Sequence, residues 1–311
     1  MKELNGIIII NKEQGYTSMD AVALTRGILH LRRAGHTGTL DPDASGVLPV
    51  CLGTATRAVE LLTESDKEYR AVMLLGRSTD TQDTSGNVLR EADWSGVTPE
   101  MIREAVSRFT GEISQVPPMY SAVKIGGKKL VDLARKGKEV ERPARKIRID
   151  SISLERIELP EVEMTVRCSK GTYIRTLCHD IGEYLGCGAC MSSLVRTRTA
   201  GFGLDRAVTL GELERLRDEG RLSEVLIPVD EYFADLPAYR ILPEEERFLR
   251  SGNRLKEEQM QRMEPGTVPE REIEEERTGG QRRLYLPDGE FLAVYEKDEA
   301  RNDYKVKKMF V

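Results

Sequence analysis

Apolar residues in the N-terminal part of the chain fall into two kinds of pattern. Residues 6–10 form an unbroken run made mostly of isoleucine, which is typical of a buried strand. Residues 68–76 alternate between apolar and polar positions and predict a second strand. Between them, Thr17 or Ser18 can cap a helix that continues to about residue 31. This region is therefore predicted to mix strands and helices.

The same two periodicities continue to about residue 236. Thr98 and Pro99 form a helix start signal, because proline is well tolerated at the first helical position, and this helix should end near Phe109. Further helices are predicted over residues 54–62, 128–138, 171–186 and 209–217. Further strands are predicted over residues 47–52, 146–158, 162–168 and 191–198, with two short strands around the proline pair at 117–118.

The character of the chain changes near residues 228–237. Residues 243–277 are dense in charge and poor in large apolar side chains. Residues 284–295 then predict a hairpin with Pro-Asp-Gly in its turn, and residues 306–311 predict a closing strand. The pattern indicates an α+β protein, with a large domain over residues 1–236 and a small β-rich domain over residues 237–311.

One loop concentrates unusual residues. Residues 35–50 contain three glycines and two prolines around Asp41 and Asp43, and they lead into the predicted strand at 47–52. A carboxylate on a rigid loop that is anchored by a core strand is well placed for chemistry. The alternative is an ordinary Asp-Pro turn. From these residues alone, a carboxylate-dependent glycosyl hydrolase or transferase is one hypothesis, although the 5% aromatic content offers little to stack against sugars.

Two other groups of residues are candidates for chemistry. Asp80 and Asp83 lie in the polar stretch 77–86, where bonding within a turn is the favoured interpretation. Cys187 and Cys190 have the C-x-x-C spacing of zinc ligands, with Cys178 and His179 upstream, but the chain has no second ligand pair at a matching spacing. Buried structural thiols are favoured, and the odd number of five cysteines indicates a reducing compartment.

Charge is distributed unevenly along the chain. The net charge is −5, yet residues 121–150 carry ten lysines or arginines and four acids, a local excess of +6. Such a segment can neutralise phosphates, although a solvated surface is the common alternative. The apolar run at residues 6–10 is too short to span a membrane, and no secretory signal precedes it. A cytoplasmic protein is therefore expected, with no membrane association.

Five ordered blocks carry a resemblance to a known family. Residues 35–50 (GHTGTLDPDASGVLPV) resemble the catalytic motif of the TruB family of tRNA pseudouridine synthases. The remaining blocks are residues 67–70 (KEYR) with 77–83 (RSTDTQD), 115–130 (QVPPMYSAVKIGGKKL), 170–182 (KGTYIRTLCHDIG) and 193–198 (SLVRTR). The resemblance covers nearly the whole large domain, and the C-terminal part is more weakly similar to a PUA-like RNA-binding domain.

The resemblance implies a fold and a reaction. The expected fold is a mixed-sheet catalytic core flanked by helices, with an RNA-gripping insertion at about residues 124–150. The expected reaction isomerises the T-loop uridine at conventional tRNA position 55 to pseudouridine. The implied enzyme is a monomer that acts on the T-arm of tRNA without a cofactor or a metal.

The resemblance also implies roles for individual residues. Asp41 would be the nucleophile, and Arg175 would keep it ionised. Tyr69 would stack on the target base and is a candidate proton acceptor. Further binding residues are implied: His36, Tyr173 and Leu194 for the substrate, and Lys124, Lys128, Lys129 and Arg135 for the RNA backbone.

Some positions depart from the family pattern, and alternatives remain open. Glu13 replaces a frequent proline, Val195 replaces a frequent arginine, and residues 270–276 are acidic for an RNA-binding surface. Two other functions stay possible: a tRNA-binding or tRNA-folding protein in which catalysis is secondary, and a guide-RNA-dependent pseudouridine synthase.

Overall fold

The computed structural model describes residues 4–264, 266–269, 271 and 278–310. Its strands are β1 (Gly6–Lys12), β2 (Ala34–His36), β3 (Ser45–Leu52), β4 (Lys67–Leu75), β5 (Arg77–Thr79), β6 (Val88–Glu91), β7 (Gly111–Gln115), β8 (Lys124–Ile125), β9 (Lys128–Lys129), β10 (Arg145–Glu158), β11 (Glu161–Cys168), β12 (Ala189–Thr199), β13 (Phe202–Gly203), β14 (Ala238–Ile241), β15 (Met260–Arg262), β16 (Gln281–Tyr285), β17 (Phe291–Asp298) and β18 (Asp303–Met309). Its α-helices are α1 (Ser18–Ile28), α2 (Val59–Thr63), α3 (Pro99–Arg108), α4 (Leu130–Ala134), α5 (Ile174–Tyr184), α6 (Leu210–Asp218), α7 (Val229–Tyr232) and α8 (Glu246–Leu249).

A mixed sheet organises the first part of the chain. In the described residues it has nine strands, in the order β1-β3-β12-β4-β11-β10-β7, with β2 added to β3 and β13 added to β12. The pair β12–β3 is parallel, and the other pairs are antiparallel. The predicted α+β class and the mixed sheet are confirmed.

The isoleucine run of β1 is buried because two cores cover its two faces. Ile7 and Ile9 pack in one apolar cluster, and Ile8 and Ile10 pack in another beneath α1. All four side chains are fully buried. Successive side chains of a strand point to opposite faces, so an unbroken apolar run requires cover on both sides.

Local signals fixed several helix starts as predicted. Thr17 caps α1, and its side chain and that of Asp20 each bond the other's backbone N–H in a capping box. Thr98 caps α3, with Pro99 at the first helical position. The predicted pair of strands at residues 146–158 and 162–168 is present as β10 and β11.

Other local predictions were incomplete. The stretch 77–86 was predicted as a turn, but its first residues form β5, which pairs with β6. No strand follows Pro118 directly, because consecutive prolines remove two backbone donors from any ladder. The basic helix predicted at 128–138 is the shorter α4, since Gly126 and Gly127 have positive φ and turn β8 back into β9.

The C-terminal region forms a separate β-rich domain with a five-stranded sheet of order β15-β14-β16-β17-β18, counted over the described residues. Its β16–β17 hairpin turns at Gly289, as predicted, with a φ of 90°. Val294 and Phe310 of this domain share an apolar cluster with Phe233 and Leu236. The boundary at residues 236–237 stays a prediction, and the acidic stretch 270–276 lies outside the described residues except for Arg271.

Candidate active site

A cavity of about 270 Å³ opens where the loop before β3 meets β4, β12 and the start of α5. The motif blocks are far apart in the chain, but their side chains meet here. Residues of several blocks line it, among them Asp41, Tyr69, Tyr173, Arg175, Leu194 and Arg196. The fold therefore gathers five of the predicted site residues around one space.

The loop that carries Asp41 is tied down on both sides of this residue. On one side, the Ser18 hydroxyl accepts a hydrogen bond from the Leu40 N–H at 2.8 Å and lies 3.2 Å from the Leu40 carbonyl. On the other side, the buried Lys12 ammonium donates to the Pro42 carbonyl at 3.2 Å. The anchors come from α1 and β1, so the main sheet fixes the position of the carboxylate.

Arg175 contacts two carboxylates and two backbone carbonyls of the site. Its Nε lies 3.0 Å from Oδ2 of Asp41, and its Nη1 lies 3.4 Å from Oδ2 of Asp83. The guanidinium also donates to the carbonyls of Thr81 at 3.1 Å and Tyr120 at 3.0 Å. Arg175 is only 6% exposed, whereas the Asp41 side chain remains 40% exposed. The guanidinium is therefore immobilised, and the carboxylate that it holds stays accessible.

The charge on Asp41 is set by opposing effects. Burial is the largest, and it raises the pKa of the Asp41 carboxyl above its ordinary value. Arg175 is the next largest and acts in the opposite direction, and the carboxylates of Asp83 and Asp43 add to the increase. Arg175 is therefore the main group that favours the ionised form.

Asp83 makes two sets of contacts, and only one of them was predicted from the sequence. As predicted, it bonds within its turn, where Oδ1 accepts from the hydroxyls of Thr81 and Ser85. Its other oxygen contacts Arg175, 92 residues away in the chain. The only sequence signal for this contact was its place in the block at residues 77–83. Asp80 bonds Asn87 within the same turn, also as predicted.

Tyr69 also lines the cavity. It is 9% exposed on β4, directly across from Arg196 of β12. Burial raises the pKa of the Tyr69 phenol, while the charge of Arg196 and a hydrogen bond from it act in the opposite direction. The phenol thus has a cationic neighbour that sequence reasoning did not assign to the site.

Comparisons with known proteins identify the family that shares these sequence blocks. Residues 26–174 match the family model described as TruB family pseudouridylate synthase (N terminal domain), and residues 175–234 match tRNA pseudouridylate synthase B C-terminal domain. The chain belongs to the TruB family.

Similar relatives and structures span most of the chain. A tRNA pseudouridine synthase B of Lachnoclostridium phytofermentans is 44% identical over 99% of this chain and 100% of the relative. One from Geobacter sulfurreducens is 48% identical over 76% of this chain and 77% of the relative. A chain in the crystal structure of a Cbf5-Nop10-Gar1 complex is 30% identical, with a TM-score of 0.71 over 98% of this chain and 85% of that one.

Within this TruB family fold, the predicted substrate-binding residues Tyr173 and Leu194 line the cavity, whereas His36 does not. Tyr173 precedes α5, and the Gln115 side chain holds both its N–H and its carbonyl, at 2.8 and 3.0 Å. Leu194 is nearly buried in the cavity wall. His36 lies on β2 outside the cavity lining, half-buried, with an unpartnered Nδ1. Burial and the charge of Arg196 lower the pKa of His36.

The basic insertion of this TruB family member is attached beside the site. Tyr120 and Ser121 line the cavity, and the Ser121 carbonyl accepts from the N–H of Val131 in α4. The four predicted RNA-backbone residues of the insertion are all exposed: Lys124, Lys128, Lys129 and Arg135. None of the four lines the cavity itself. Their side chains are therefore available for contacts outside the cavity.

Three further predictions concern the cysteines, metal binding and membrane association. All five cysteines are buried and unbridged, as the structural-thiol interpretation predicts. In the described part of the chain, no group of three or more His, Cys, Asp or Glu side chains is arranged to hold a metal ion. Over the same residues, no helix is both long and apolar enough to cross a membrane.

Proposed function

We propose that this protein converts the T-loop uridine at conventional position 55 of tRNA into pseudouridine. The observation that carries the proposal is the pair of Asp41 and immobilised Arg175 in the lining of a cavity that Tyr69 also lines. Membership of the TruB family supports the reaction. The names of the relatives, tRNA pseudouridine synthase B, support tRNA as the substrate.

In the proposed reaction Asp41 is the nucleophile. The uracil must leave C1′ of its sugar, turn over, and rejoin through C5, so the attacking group must also be able to leave. Arg175 supports the ionised form that such an attack requires. Because the product is an isomer of the substrate, the reaction needs no oxidant, reductant or group donor, and we propose that it uses neither cofactor nor metal.

The cavity would hold one extruded base. Tyr69 would stack on the uracil, and Tyr173 and Leu194 would bound its edges, since all three side chains line the same space. A T-loop uridine is stacked inside folded RNA, so extrusion costs about a few kcal/mol. His36, half-buried on β2, would face the RNA near the extruded nucleotide.

The remaining RNA contacts would be made to the backbone. Lys124, Lys128, Lys129 and Arg135 are exposed on an insertion that is joined to the cavity rim, which suits contacts to phosphates. The C-terminal sheet fits a PUA-like fold, and we propose that it adds further RNA contacts. We also propose a monomer in the cytoplasm, where the five free thiols suit a reducing compartment.

A guide-RNA-dependent synthase is the second candidate, because similar folds occur in a Cbf5-Nop10-Gar1 complex and in an H/ACA RNP bound to a substrate RNA. The higher identity to tRNA pseudouridine synthase B relatives favours the first candidate. A tRNA-folding role would add to either reaction, and it would persist in a variant without catalysis.

The test is to incubate purified protein with an unmodified tRNA transcript and map pseudouridine at nucleotide resolution. The proposal expects pseudouridine at position 55 without any guide RNA, and none in a transcript with cytidine there. Pseudouridine that appears only after a guide RNA and partner proteins are added would favour the second candidate. Failure to modify any uridine in either format would refute the proposed function.

A further inference from the structure

Arg196 is a buried cation without an acidic partner. It is 1% exposed, and in the described part of the chain no carboxylate lies within ion-pair distance of it. Its Nε donates to the carbonyl of Val47 at 2.7 Å, and its Nη2 donates to the carbonyl of Gly38 at 3.2 Å. A buried guanidinium that is balanced only by neutral acceptors is costly, so a compensating function is expected.

A second cation lies close to the first. Lys67 is 8% exposed and lines the cavity, and its ammonium donates to the carbonyls of Thr63 and Ser65. Both cations lie beside Gly38, and so they lie near each other. A Cβ on this glycine would lie 3.5 Å from Nη1 of Arg196 and 3.9 Å from Cε of Lys67. Burial, with Arg196 adding to it, lowers the pKa of Lys67 to about 8.

Tyr69 lines the cavity together with both cations. Lys67 and Tyr69 are two residues apart on β4, so they share one face of the sheet. Arg196 faces Tyr69 across the β4–β12 pair, and its guanidinium lowers the pKa of the phenol against the effect of burial. Cys168 and Asp41 act electrostatically in the opposite direction on the phenol. Two cations and the Tyr69 phenol therefore line the same cavity.

We propose that Arg196 is a positioning residue that fixes the Tyr69 hydroxyl and, together with Lys67, stabilises the Tyr69 phenolate while it removes the proton from C5 of the rejoined base. This inference rests on the proposed function, because it concerns the last step of that reaction. It assigns the two unpaired cations to a charge that exists only when the phenol has lost its proton.

The step balances as follows. After C1′ has joined C5, that carbon bears both a hydrogen and the sugar, and the ring has a C6=N1 double bond. The phenolate oxygen takes the C5 hydrogen as a proton, and the C5–H electron pair forms the C5=C6 bond. The C6=N1 pair moves onto N1, which takes up one proton. The phenolate becomes a phenol, which then gives up that proton to solvent and so offsets the proton that N1 takes up; the isomerisation consumes no net proton.

A purely structural role for Arg196 is the competing explanation, because its bonds to Gly38 and Val47 also brace the loop of Asp41. The two explanations differ in which step they affect. Loss of bracing would disturb Asp41 and slow the cleavage of the glycosidic bond. Loss of phenolate stabilisation would slow only the removal of the C5 proton.

A fluorine at C5 separates these steps, because it cannot leave as a proton. The experiment compares T-arm RNAs with uridine, 5-deuterouridine or 5-fluorouridine at the target position, under single-turnover conditions. Arg196→Lys should slow pseudouridine formation by roughly 100-fold, a typical contribution of proton transfer in catalysis. The same variant should rearrange 5-fluorouridine at nearly the wild-type rate. Deuterium at C5 should slow the variant further and leave the wild type unaffected.

Controls connect this result to Tyr69. Tyr69→Phe should show the same division between uridine and 5-fluorouridine, and Arg196→Lys should add little in that background. Arg198→Gln removes an exposed cation two residues away on β12, and its ratio of uridine to 5-fluorouridine rates should equal that of the wild type. Rearrangement of 5-fluorouridine also demonstrates that a variant is folded.

Two outcomes would overturn the inference. One is an Arg196→Lys variant that slows both substrates equally, which would assign Arg196 to the Asp41 loop. The other is a variant with no activity on either RNA, which would assign Arg196 to the fold. Inactivity of the wild type on uridine would instead refute the proposed function, so the two failures are distinguishable.

Discussion

At the scale of single residues, two carboxylates two positions apart have very different surroundings. Asp41 faces the cavity and pairs with Arg175 at 3.0 Å, whereas Asp43 is exposed and outside the cavity lining. We expect Asp41→Asn to lower pseudouridine formation by more than about 10³-fold, because the amide cannot act as the nucleophile. Affinity for tRNA should remain nearly unchanged. Single-turnover assays and binding titrations measure both quantities.

The matched control for that substitution is Asp43→Asn, which removes the same charge from the same loop. It should retain most of the activity. Full activity of Asp41→Asn, or equal loss in the two variants, would contradict the assignment of Asp41 as the nucleophile.

The pH dependence of the reaction should reflect the surroundings of Asp41. Burial and neighbouring carboxylates raise its pKa, and in the proposed reaction only the ionised form attacks. Activity should therefore be lost, as the pH falls, at a higher pH than an ordinary aspartate would give. Asp43→Asn removes one of the charges that raise this pKa, so its acidic limb should lie at lower pH. An acidic limb that does not move, or moves upward, would contradict this origin.

Asp83 should matter through Arg175 and not through the substrate. Asp83→Asn weakens one of the contacts that hold the guanidinium, and we expect a cost on the order of 1–2 kcal/mol, about tenfold in rate. The loss should fall on kcat, with KM nearly unchanged. Asp80→Asn, which disturbs the same turn without reaching Arg175, is the control. Equal effects of both would mean that only the turn matters.

What the sequence could reveal about single residues depended on motif resemblance. Asp41 and Arg175 could be named in advance because each lies inside a recognisable block, and the structure places them side by side. Asp83 and Arg196 lie in similar blocks, yet nothing in their spacing shows that one meets Arg175 and the other meets Tyr69. These contacts exist only after strands distant in sequence have paired. Their roles, like that of Asp41, stay predictions.

At the scale of elements, the role proposed for the basic insertion can be tested by the salt dependence of tRNA binding. Neutralising Lys128, Lys129 and Arg135 together should weaken tRNA binding. The slope of log affinity against log salt should fall by about 0.7–0.9 for each phosphate contact that is lost. A control triple variant takes exposed arginines from α3 and α6: Arg103, Arg108 and Arg215. An unchanged slope in the insertion variant would exclude this grip.

Elements with strong local signals were predictable, and elements shaped by loops were not. β1 and α1 have an unbroken apolar run and a capping box, which act over a few residues. The insertion was harder to predict, because Gly126 and Gly127 turn the chain into a hairpin that takes up the first residues of the helix predicted at 128–138. The start of α5 moved to Ile174 because Gly171 has a φ of 80°.

At the scale of the whole molecule, the two sheets are joined by aromatic packing. The Phe310 ring lies 5.7 Å from that of Phe233 and 5.1 Å from that of Phe291, between centroids. Phe310 also belongs to the cluster that contains Ile7 and Ile9 of β1. Sequence reasoning expected a small β-rich domain after residue 236 but could not show that it completes the core of the first domain. Apolar periodicity identifies a buried face without naming its partner.

This shared core predicts that the two domains unfold together. Phe310→Ala should cost about 3–5 kcal/mol, the usual range for a buried phenylalanine, although Phe310 is distant in sequence from the catalytic sheet. The single tryptophan, Trp94, packs against the core of the first domain, so its fluorescence reports that domain alone. Its denaturant midpoint should fall in Phe310→Ala and remain unchanged in Phe248→Ala, which truncates a half-exposed ring of the C-terminal domain. The contrary outcome is a Trp94 midpoint that is unchanged in Phe310→Ala, while circular dichroism shows that the second sheet unfolds at lower denaturant. The first domain would then be stable without this contact.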